Sequence, residues 1–275
     1  MDFKAFAEQH GLIMRDLIPA KWVSTPTVDH PHKRNGRYKF MGDVGWVQNW
    51  ATMEKPSMWR SDSKSPVQHN YRKIAEDADR ERRELAEKAS AKAGWILHQT
   101  VQSTHPYLME KGFTTEQFNV WKKDAFESIL VIPMRIGQTL VGCQLINEQG
   151  DKKFLYGQTN KGATFTLDAK GIHMFCEGFA TALSIRNVMK ANKIRYTIHV
   201  CFSAGNMKEV ARHIPNGIIV ADNDASGTGE SVAKETGKPY WISETVGEDF
   251  NDYHHRVGLF KASQSLKKVL TSLNH

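Results

Sequence analysis

The chain has 275 residues, of which 40% are hydrophobic and 24% charged, and its formal net charge is +7. This length allows one large or two ordinary domains, and no run approaches the roughly 20 apolar residues that span a bilayer. The first residues also lack the pattern of a secretory signal peptide. We therefore expect a globular cytoplasmic protein with no membrane partner, and the basic balance favours polyanionic partners.

The cysteines do not form a recognisable framework. They are odd in number, widely separated and embedded in apolar segments. This spacing excludes a disulfide framework and a Cys-x-x-Cys zinc site. We expect all three to be core residues in a reducing compartment: Cys143, Cys176 and Cys201.

The N-terminal part is basic and aromatic. Residues 1–20 predict a short amphipathic helix that ends by Pro19, and residues 21–66 predict strands and turns. Between Lys21 and Lys64, eight Lys or Arg are set against four Asp or Glu, with six Trp, Tyr or Phe interleaved. In single-stranded nucleic acid, cations track the phosphates and rings stack on the bases. This β-rich basic module carries five candidate nucleic-acid-binding residues: Arg34, Arg37, Lys39, Trp46 and Trp50.

A long helix and a meander follow. Residues 68–98 predict a highly charged helix with a thin apolar stripe, and its charges are interpreted as a solvated face. Three apolar or mixed runs come next, SILVIPM, TLVGCQLIN and KKFLYG, and glycine-containing turns separate them. That spacing predicts an antiparallel meander.

The remainder of the chain alternates strand and helix, ending in a helix near 259–273. Such alternation predicts a parallel sheet with helices on its faces. We therefore divide the chain into a basic N-terminal region with the long helix at 1–103, the meander at 104–170 and an α/β domain at 171–275.

Acidic residues follow three strands of the predicted parallel sheet. Glu177 follows the first, Asp222 and Asp224 follow the third, and Asp249 and Asp252 come after the fourth. Ligand sites in such sheets lie beyond the carboxyl ends of the strands. Carboxylates that converge there repel one another unless a cation neutralises them, and all-oxygen ligation suits Mg²⁺ or Mn²⁺. All five are therefore candidate metal ligands.

A second interpretation of these acids is local. Asp222 and Asp224 also suit a turn and an N-cap that open the next helix, and Asp252 equally suits a cap. Acids follow three separate strands, and a local role in a turn or cap would have to arise independently at each of them. This favours the metal site.

The acidic motifs resemble a known family. CEGFATALS, VADNDASGTG and GEDFND resemble the signature of Toprim domains, which are shared by bacterial-type primases, topoisomerases and some nucleases. The segment from HPYLMEKGF to DKKFLYGQTNKGATF is similar to the one that leads into Toprim in primases carried by phages and plasmids. The likeness covers about residues 104–258. It implies an α/β Toprim domain, a parallel sheet flanked by helices, preceded by an α+β, β-rich basic primase-like region.

The resemblance also implies roles for single residues. Glu177, Asp222 and Asp224 match catalytic acids of the family, and Asp249 matches a further metal ligand. Basic and turn residues match positions that face a nucleotide and its phosphates: Lys153, Lys161, Ser203, Gly205 and Asn206. Two positions depart from the family pattern, since Thr181 and Asn251 stand where an Asp is often found.

The activity that this implies is that of a DNA primase, which makes short RNA primers on single-stranded DNA from nucleoside triphosphates by metal-dependent nucleotidyl transfer. GTGES at 227–231 lacks the Lys and the spacing of a Walker motif, so a separately encoded helicase is the expected partner. If a phage encodes the chain, the location is the cytoplasm of its bacterial host. Two alternatives stay open: a Toprim nuclease that cleaves phosphodiesters, and a non-catalytic nucleic-acid-binding replication accessory protein.

Overall fold

The computed structural model describes residues 1–61, 68–124 and 127–272, apart from the side chains of 68–72 and 74. The chain forms two compact units, Met1–Glu84 and Leu85–His275, and each is described by itself. Within the described residues, no helix combines the length and the apolar character needed to cross a membrane.

The described part of the first unit contains a short helix, a four-stranded antiparallel sheet whose strands follow chain order, and the first part of a long helix, residues 68–84. The short helix and the strands are α1 (Phe3–Gln9), β1 (Trp22–Thr25), β2 (Gly36–Phe40), β3 (Val44–Asn49) and β4 (Ser57–Arg60). The sheet confirms the predicted β-rich region, of which residues 62–66 lie outside the described part. The helix is shorter than the predicted segment, because Gly11 adopts a left-handed φ of 75° directly after its C-cap.

The core of the first unit lies on one face of this sheet. Asp2 caps α1 by accepting a hydrogen bond from the Ala5 N–H at 2.7 Å, and the helix buries Phe3 and Ala7. Apolar side chains of the strands and of the following loop complete the cluster: Leu12, Met14, Tyr38, Val47 and Trp59. The opposite face of the sheet carries no part of this core.

The second unit begins inside the predicted long helix, α2 (Gln68–His98). Ala89, Ala93 and Ile96 of α2 are buried, and they pack on one face of a five-stranded sheet. The side chain of Ile74, part of the predicted apolar stripe, is outside the described residues. The buried positions are spaced by three and four residues, the periodicity of one helix face.

The five-stranded sheet is antiparallel throughout and confirms the predicted meander. Its strands run in chain order, with a short helix after the first: β5 (Thr100–Ser103), α3 (Pro106–Glu110), β6 (Phe118–Lys122), β7 (Ser128–Ile136), β8 (Thr139–Ile146) and β9 (Lys152–Phe154). Gly137 and Gly150 take positive φ in the β7–β8 and β8–β9 turns, a conformation that favours glycine.

The third sheet carries the predicted strand–helix alternation. Its elements are β10 (Phe165–Asp168), β11 (Ile172–Cys176), α4 (Phe179–Ala191), β12 (Tyr196–Val200), α5 (Ala204–Arg212), β13 (Ile218–Val220), α6 (Thr228–Glu235), β14 (Tyr240–Trp241) and α7 (Phe250–Thr271). Gly258 breaks α7 with φ 78° and ψ 163°, so its second part begins where the final helix was predicted.

The strand order of this sheet is β10-β12-β11-β13-β14. Strands β11 to β14 are parallel, as predicted, while β10 is an antiparallel edge strand that the sequence pattern did not indicate. Helices α4 and α7 cover one face, and α5 and α6 cover the other. The chain leaves β11 for β12 on one side and later reaches β13 on the other, which creates a switch point between β11 and β13.

The cysteines agree with the expectation from their spacing. Cys143, Cys176 and Cys201 are all buried and all free. Burial raises the pKa of the Cys176 thiol well above its usual value. They act as small apolar core residues.

Candidate metal and nucleotide site

Two acids flank the switch point of the third sheet. Glu177 directly follows β11, and Asp222 comes two residues after β13. The register pairs Phe175 with Ile219, so Glu177 and Asp222 stand at the same edge of neighbouring parallel strands. Bound ligands lie at this place in open α/β sheets.

The electrostatics of this pair are unfavourable without a counter-charge. Burial, followed by the charges of Glu177 and Asp249, raises the pKa of Asp222 to about 7. Burial is also the main reason why the pKa of Glu177 is raised, and Asp224 adds to it. Among the described residues, the buried Oδ1 of Asp222 has no hydrogen-bond partner. A buried carboxylate oxygen in this state fits a bound cation.

Asp224 occupies the turn that follows Asp222. Its Oδ1 accepts hydrogen bonds from the backbone N–H groups of Ser226 at 2.8 Å and Thr228 at 3.3 Å. The hydrogen bond from the Ser226 side chain is the main cause that lowers the pKa of Asp224. Asp224 thus has the local turn role of the second interpretation, and its role as a metal ligand stays a prediction.

Asp249 and Asp252 have different surroundings. Asp249 caps α7, and its Oδ1 accepts a hydrogen bond from the Asp252 N–H at 2.9 Å. Its charge nevertheless contributes to the raised pKa of Asp222. The Asp252 carboxylate lies 3.3 Å from the Lys111 ammonium, with which it forms an ion pair. Asp249 therefore belongs to the electrostatic environment of the site, whereas Asp252 already has a cationic partner.

The acids at the strand ends offer oxygen ligands to a divalent ion. Over the described residues, no group of three or more His, Cys, Asp or Glu side chains is arranged to hold a metal ion. The chemistry still fits Mg²⁺ or Mn²⁺, because these ions take oxygen ligands. The charges of Glu177 and Asp249 act on Asp222, whose buried Oδ1 lacks a partner within the described part of the chain. Glu177 and Asp222 would hold the ion, with Asp224 and Asp249 as further predicted ligands.

A lysine that the sequence analysis missed faces these acids. The charge of Lys152 on β9 lowers the pKa of both Glu177 and Asp222. Its ammonium also lies 5.9 Å from the centre of the Tyr107 ring. In DKKF, consecutive side chains of a strand point to opposite faces, so this alternation could have distinguished Lys152 from Lys153.

The two predicted phosphate-binding lysines have other surroundings. Lys153 lines a cavity of about 250 Å³ together with Ile96, Ile129 and Leu155, on the α2 side of the meander sheet. Lys161 is exposed, and its ammonium lies 3.5 Å from a carboxylate oxygen of Glu209. Contact with phosphate stays a prediction for both.

The predicted turn at 203–206 forms the N-terminus of α5. Ser203 is the N-cap and accepts a hydrogen bond from the Asn206 N–H at 3.3 Å. The Asn206 side-chain amide donates to the carbonyls of Ala163 and Cys201, both at 2.8 Å. Asn206 therefore joins the loop before β10 to this turn. Nothing lies within 4 Å of a Cβ built on Gly205. Nucleotide binding stays a prediction for Ser203, Gly205 and Asn206.

An aromatic pair lies beside the acids. Phe202 has a left-handed φ of 68°, which is rare for a bulky residue, and its N–H donates to the Glu177 carbonyl at 2.9 Å. Its ring centre lies 6.2 Å from that of Phe154, which shares a face of β9 with Lys152. Neither ring was predicted as a site residue from the sequence.

The two departures from the family pattern are interior positions. Thr181 and Asn251 are almost completely buried. The Asn251 amide donates to the Lys111 carbonyl at 3.1 Å and to the Ser184 hydroxyl at 3.0 Å. Asn251 therefore anchors α7 to α4 and to the end of α3.

The predicted nucleic-acid-binding residues all lie in the first unit. Arg37, Lys39 and Trp46 are on β2 and β3, Trp50 directly follows β3, and Arg34 is exposed in the preceding loop. Nucleic-acid contact stays a prediction for all five.

Comparison with known proteins identifies part of the second unit. The family model described as Toprim domain matches residues 173–259, a range that runs from β11 into α7 and contains Glu177, Asp222, Asp224 and Asp249. No curated protein and no solved structure matches the chain. The Toprim domain predicted from the acidic motifs is thereby confirmed. Such domains occur in primases, topoisomerases and nucleases and generally bind divalent metal ions.

Proposed function

We propose that the Toprim domain at residues 173–259 catalyses metal-dependent nucleotidyl transfer and that the chain is a DNA primase, which makes short RNA primers on single-stranded DNA. The observation that carries this proposal is the acid pair Glu177 and Asp222 across the switch point, with the buried Asp222 Oδ1 lacking a partner within the described residues. Nucleoside triphosphates are the proposed substrates, and a separately encoded helicase is the proposed partner.

The reaction joins two nucleotides when a 3′ hydroxyl attacks an α-phosphate in line and pyrophosphate leaves. A bound Mg²⁺ or Mn²⁺ would polarise the phosphate oxygens and neutralise the charge that develops on the leaving group. Asp222 supplies carboxylate oxygens for that ion. Glu177 stands at the same sheet edge as Asp222, where its carboxylate would accept the proton of the attacking hydroxyl.

Lys152 favours polymerisation over cleavage in this proposal. It comes from the meander sheet, outside the matched Toprim range, and its charge faces the acid pair. A triphosphate carries more negative charge to this site than a single phosphodiester does, so a fixed ammonium there serves a triphosphate substrate best. The meander also resembles the segment that precedes Toprim in primases carried by phages and plasmids.

The test is primer synthesis by the full chain. Single-stranded DNA, Mg²⁺ or Mn²⁺ and labelled ribonucleotides are incubated with the protein, and the products are resolved on a denaturing gel. We expect short new oligonucleotides with the wild-type chain and none with Asp222→Asn, whose amide keeps the shape and removes the charge. Circular dichroism of both proteins confirms that the variant is folded.

The other outcomes identify the alternatives. Shortened template without new product, again lost in Asp222→Asn, would show a nuclease. Template that is bound and left unchanged would show an accessory protein. Full synthesis by folded Asp222→Asn would contradict the proposed site.

A further inference from the structure

The face of the four-stranded sheet that lies opposite its core, here called the open face, carries charged residues of one sign. Within β1 to β4, the charged residues are Arg37, Lys39 and Arg60, and all three are basic. The antiparallel register pairs Lys39 with Trp46 and Arg37 with Gln48. Since paired residues of neighbouring strands lie on the same face, these side chains share the face opposite the buried core.

One row of paired residues crosses the whole sheet on this face. The register pairs Trp22 with Lys39, Lys39 with Trp46, and Trp46 with Met58. Trp22 is 42% exposed and Met58 is 48% exposed. We call this row, together with Arg37, Arg60 and the neighbouring Trp50, the open-face platform. Trp22, Trp50 and Met58 of the platform are exposed, and Lys39 and Trp46 are half-buried.

The platform is already ordered without a ligand. The Arg37 guanidinium lies 4.5 Å from the centre of the Trp22 ring and 5.7 Å from that of Trp50. Its Nε and Nη2 donate to the Gln48 Oε1 at 3.0 and 2.8 Å. Gln48 in turn donates to the Met53 carbonyl at 3.2 Å, which fixes its side chain. Such preorganisation lowers the entropic cost of binding.

We infer that the open-face platform binds single-stranded DNA, whose bases stack on Trp22 and Trp50 while its phosphates face Lys39 and Arg60. Two observations select this ligand. The strands present only positive charge on this face, which is complementary to a phosphate backbone. Exposed rings spaced between cations stack on unpaired bases, which a duplex does not offer. The inference rests on the proposed function for the role of this DNA as template, and it adds Trp22, Met58 and Arg60 to the residues predicted from sequence.

The test measures binding separately from catalysis. The full chain is titrated into a fluorescently labelled oligo-dT of roughly 16 nucleotides, in EDTA so that no reaction occurs, and anisotropy gives Kd. We expect Trp22→Ala and Trp50→Ala to weaken binding roughly 5- to 100-fold each, as the loss of one stacked base would. Trp22→Phe keeps a ring and is expected to restore most of the affinity.

Charge and location provide the controls. Lys39→Gln is expected to flatten the dependence of log Kd on log salt by about 0.7, the value for one phosphate on a single strand. Trp95 of α2 is a matched exposed tryptophan, 56% exposed, outside the platform, and Trp95→Ala should bind like wild type. Unfolding curves of every variant establish that it is folded.

The result separates the two proposals. If folded Trp22→Ala and Trp50→Ala bind oligo-dT as tightly as wild type, the inference is wrong, whether or not Asp222→Asn abolishes synthesis. If they bind weakly while Asp222→Asn binds normally, the platform is established independently of catalysis. Equal or tighter binding of duplex DNA or of single-stranded RNA by the same residues would also overturn the choice of ligand.

Discussion

Lys152 and Lys153 show how much function depends on a single position in the sequence. They are adjacent on β9, and consecutive side chains of a strand point to opposite faces. Lys152 consequently acts on the charges of Glu177 and Asp222, whereas Lys153 lines the cavity on the α2 side. The family resemblance selected Lys153, because the motif gives spacing and does not give direction.

This pair provides a matched prediction. Lys152→Ala should raise the KM for ribonucleoside triphosphates on the order of 10- to 100-fold, since a charge-assisted hydrogen bond to phosphate contributes about 1.5–3 kcal/mol. Lys153→Ala should have a smaller effect than Lys152→Ala, because its side chain points to the α2 side of the sheet. Steady-state kinetics of primer synthesis and the binding of a fluorescent ATP analogue with Mg²⁺ both measure the effect. A larger defect in Lys153→Ala than in Lys152→Ala would contradict the assignment.

At the scale of elements, α6 fixes the position of Asp222. A Cβ built on Gly229, in the first turn of α6, would lie 2.2 Å from the Asp222 carbonyl oxygen. Backbone cannot rotate out of the way as a side chain can, so any larger residue must displace the helix from the strand end. The glycine therefore allows the close packing that holds the turn from Asp222 to Thr228.

The corresponding prediction concerns stability. Gly229→Ala should lower the free energy of unfolding by about 1–3 kcal/mol, the usual cost of overpacking, despite the better helix propensity of alanine. Gly205→Ala in the first turn of α5 is the control, because nothing lies within 4 Å of its built Cβ. It should be neutral or stabilising by up to about 1 kcal/mol. Urea unfolding measures both, and equal effects would refute the packing argument.

At the scale of the whole molecule, folding brings acids together that are separated by more than 40 residues of sequence. The repulsion between these acids and the burial of the Asp222 carboxylate both lower the free energy of unfolding. A cation that binds only the folded state raises the free energy of unfolding. The size of the increase depends on the ratio of the cation concentration to its Kd.

Global unfolding should therefore respond to metal. Mg²⁺ at about 100 times its Kd should stabilise the wild-type chain by about 2.7 kcal/mol, and EDTA should reverse the effect. Asp222→Asn should lose the response and, in EDTA, should be more stable than wild type, because a neutral amide costs less to bury than a carboxylate. Thermal unfolding monitored by circular dichroism measures both. An equal Mg²⁺ response in the two proteins would argue against a site at Asp222.

The acid motif itself could be identified from sequence. Glu177 and Asp222 directly follow runs of buried apolar residues, and strand ends are visible in a local pattern. The Toprim match confirms the domain that these motifs predicted. The face to which the Lys152 side chain points and the hydrogen bonds that the Asn206 amide donates depend on residues distant in sequence. No local pattern contains that information.

Most of the helices and strands could be predicted from the sequence, because hydrophobic periodicity, glycine turns and caps act over a few residues, but the edge strand β10 could not. The sequence also determined the chemistry available at the strand ends. The position of β11 between β12 and β13, which places Glu177 and Asp222 on the two sides of the switch point, is visible only in the tertiary structure. The row formed by Trp22, Lys39, Trp46 and Met58 is likewise visible only there. Both features depend on strand order and register, which are set by packing between segments far apart in the chain.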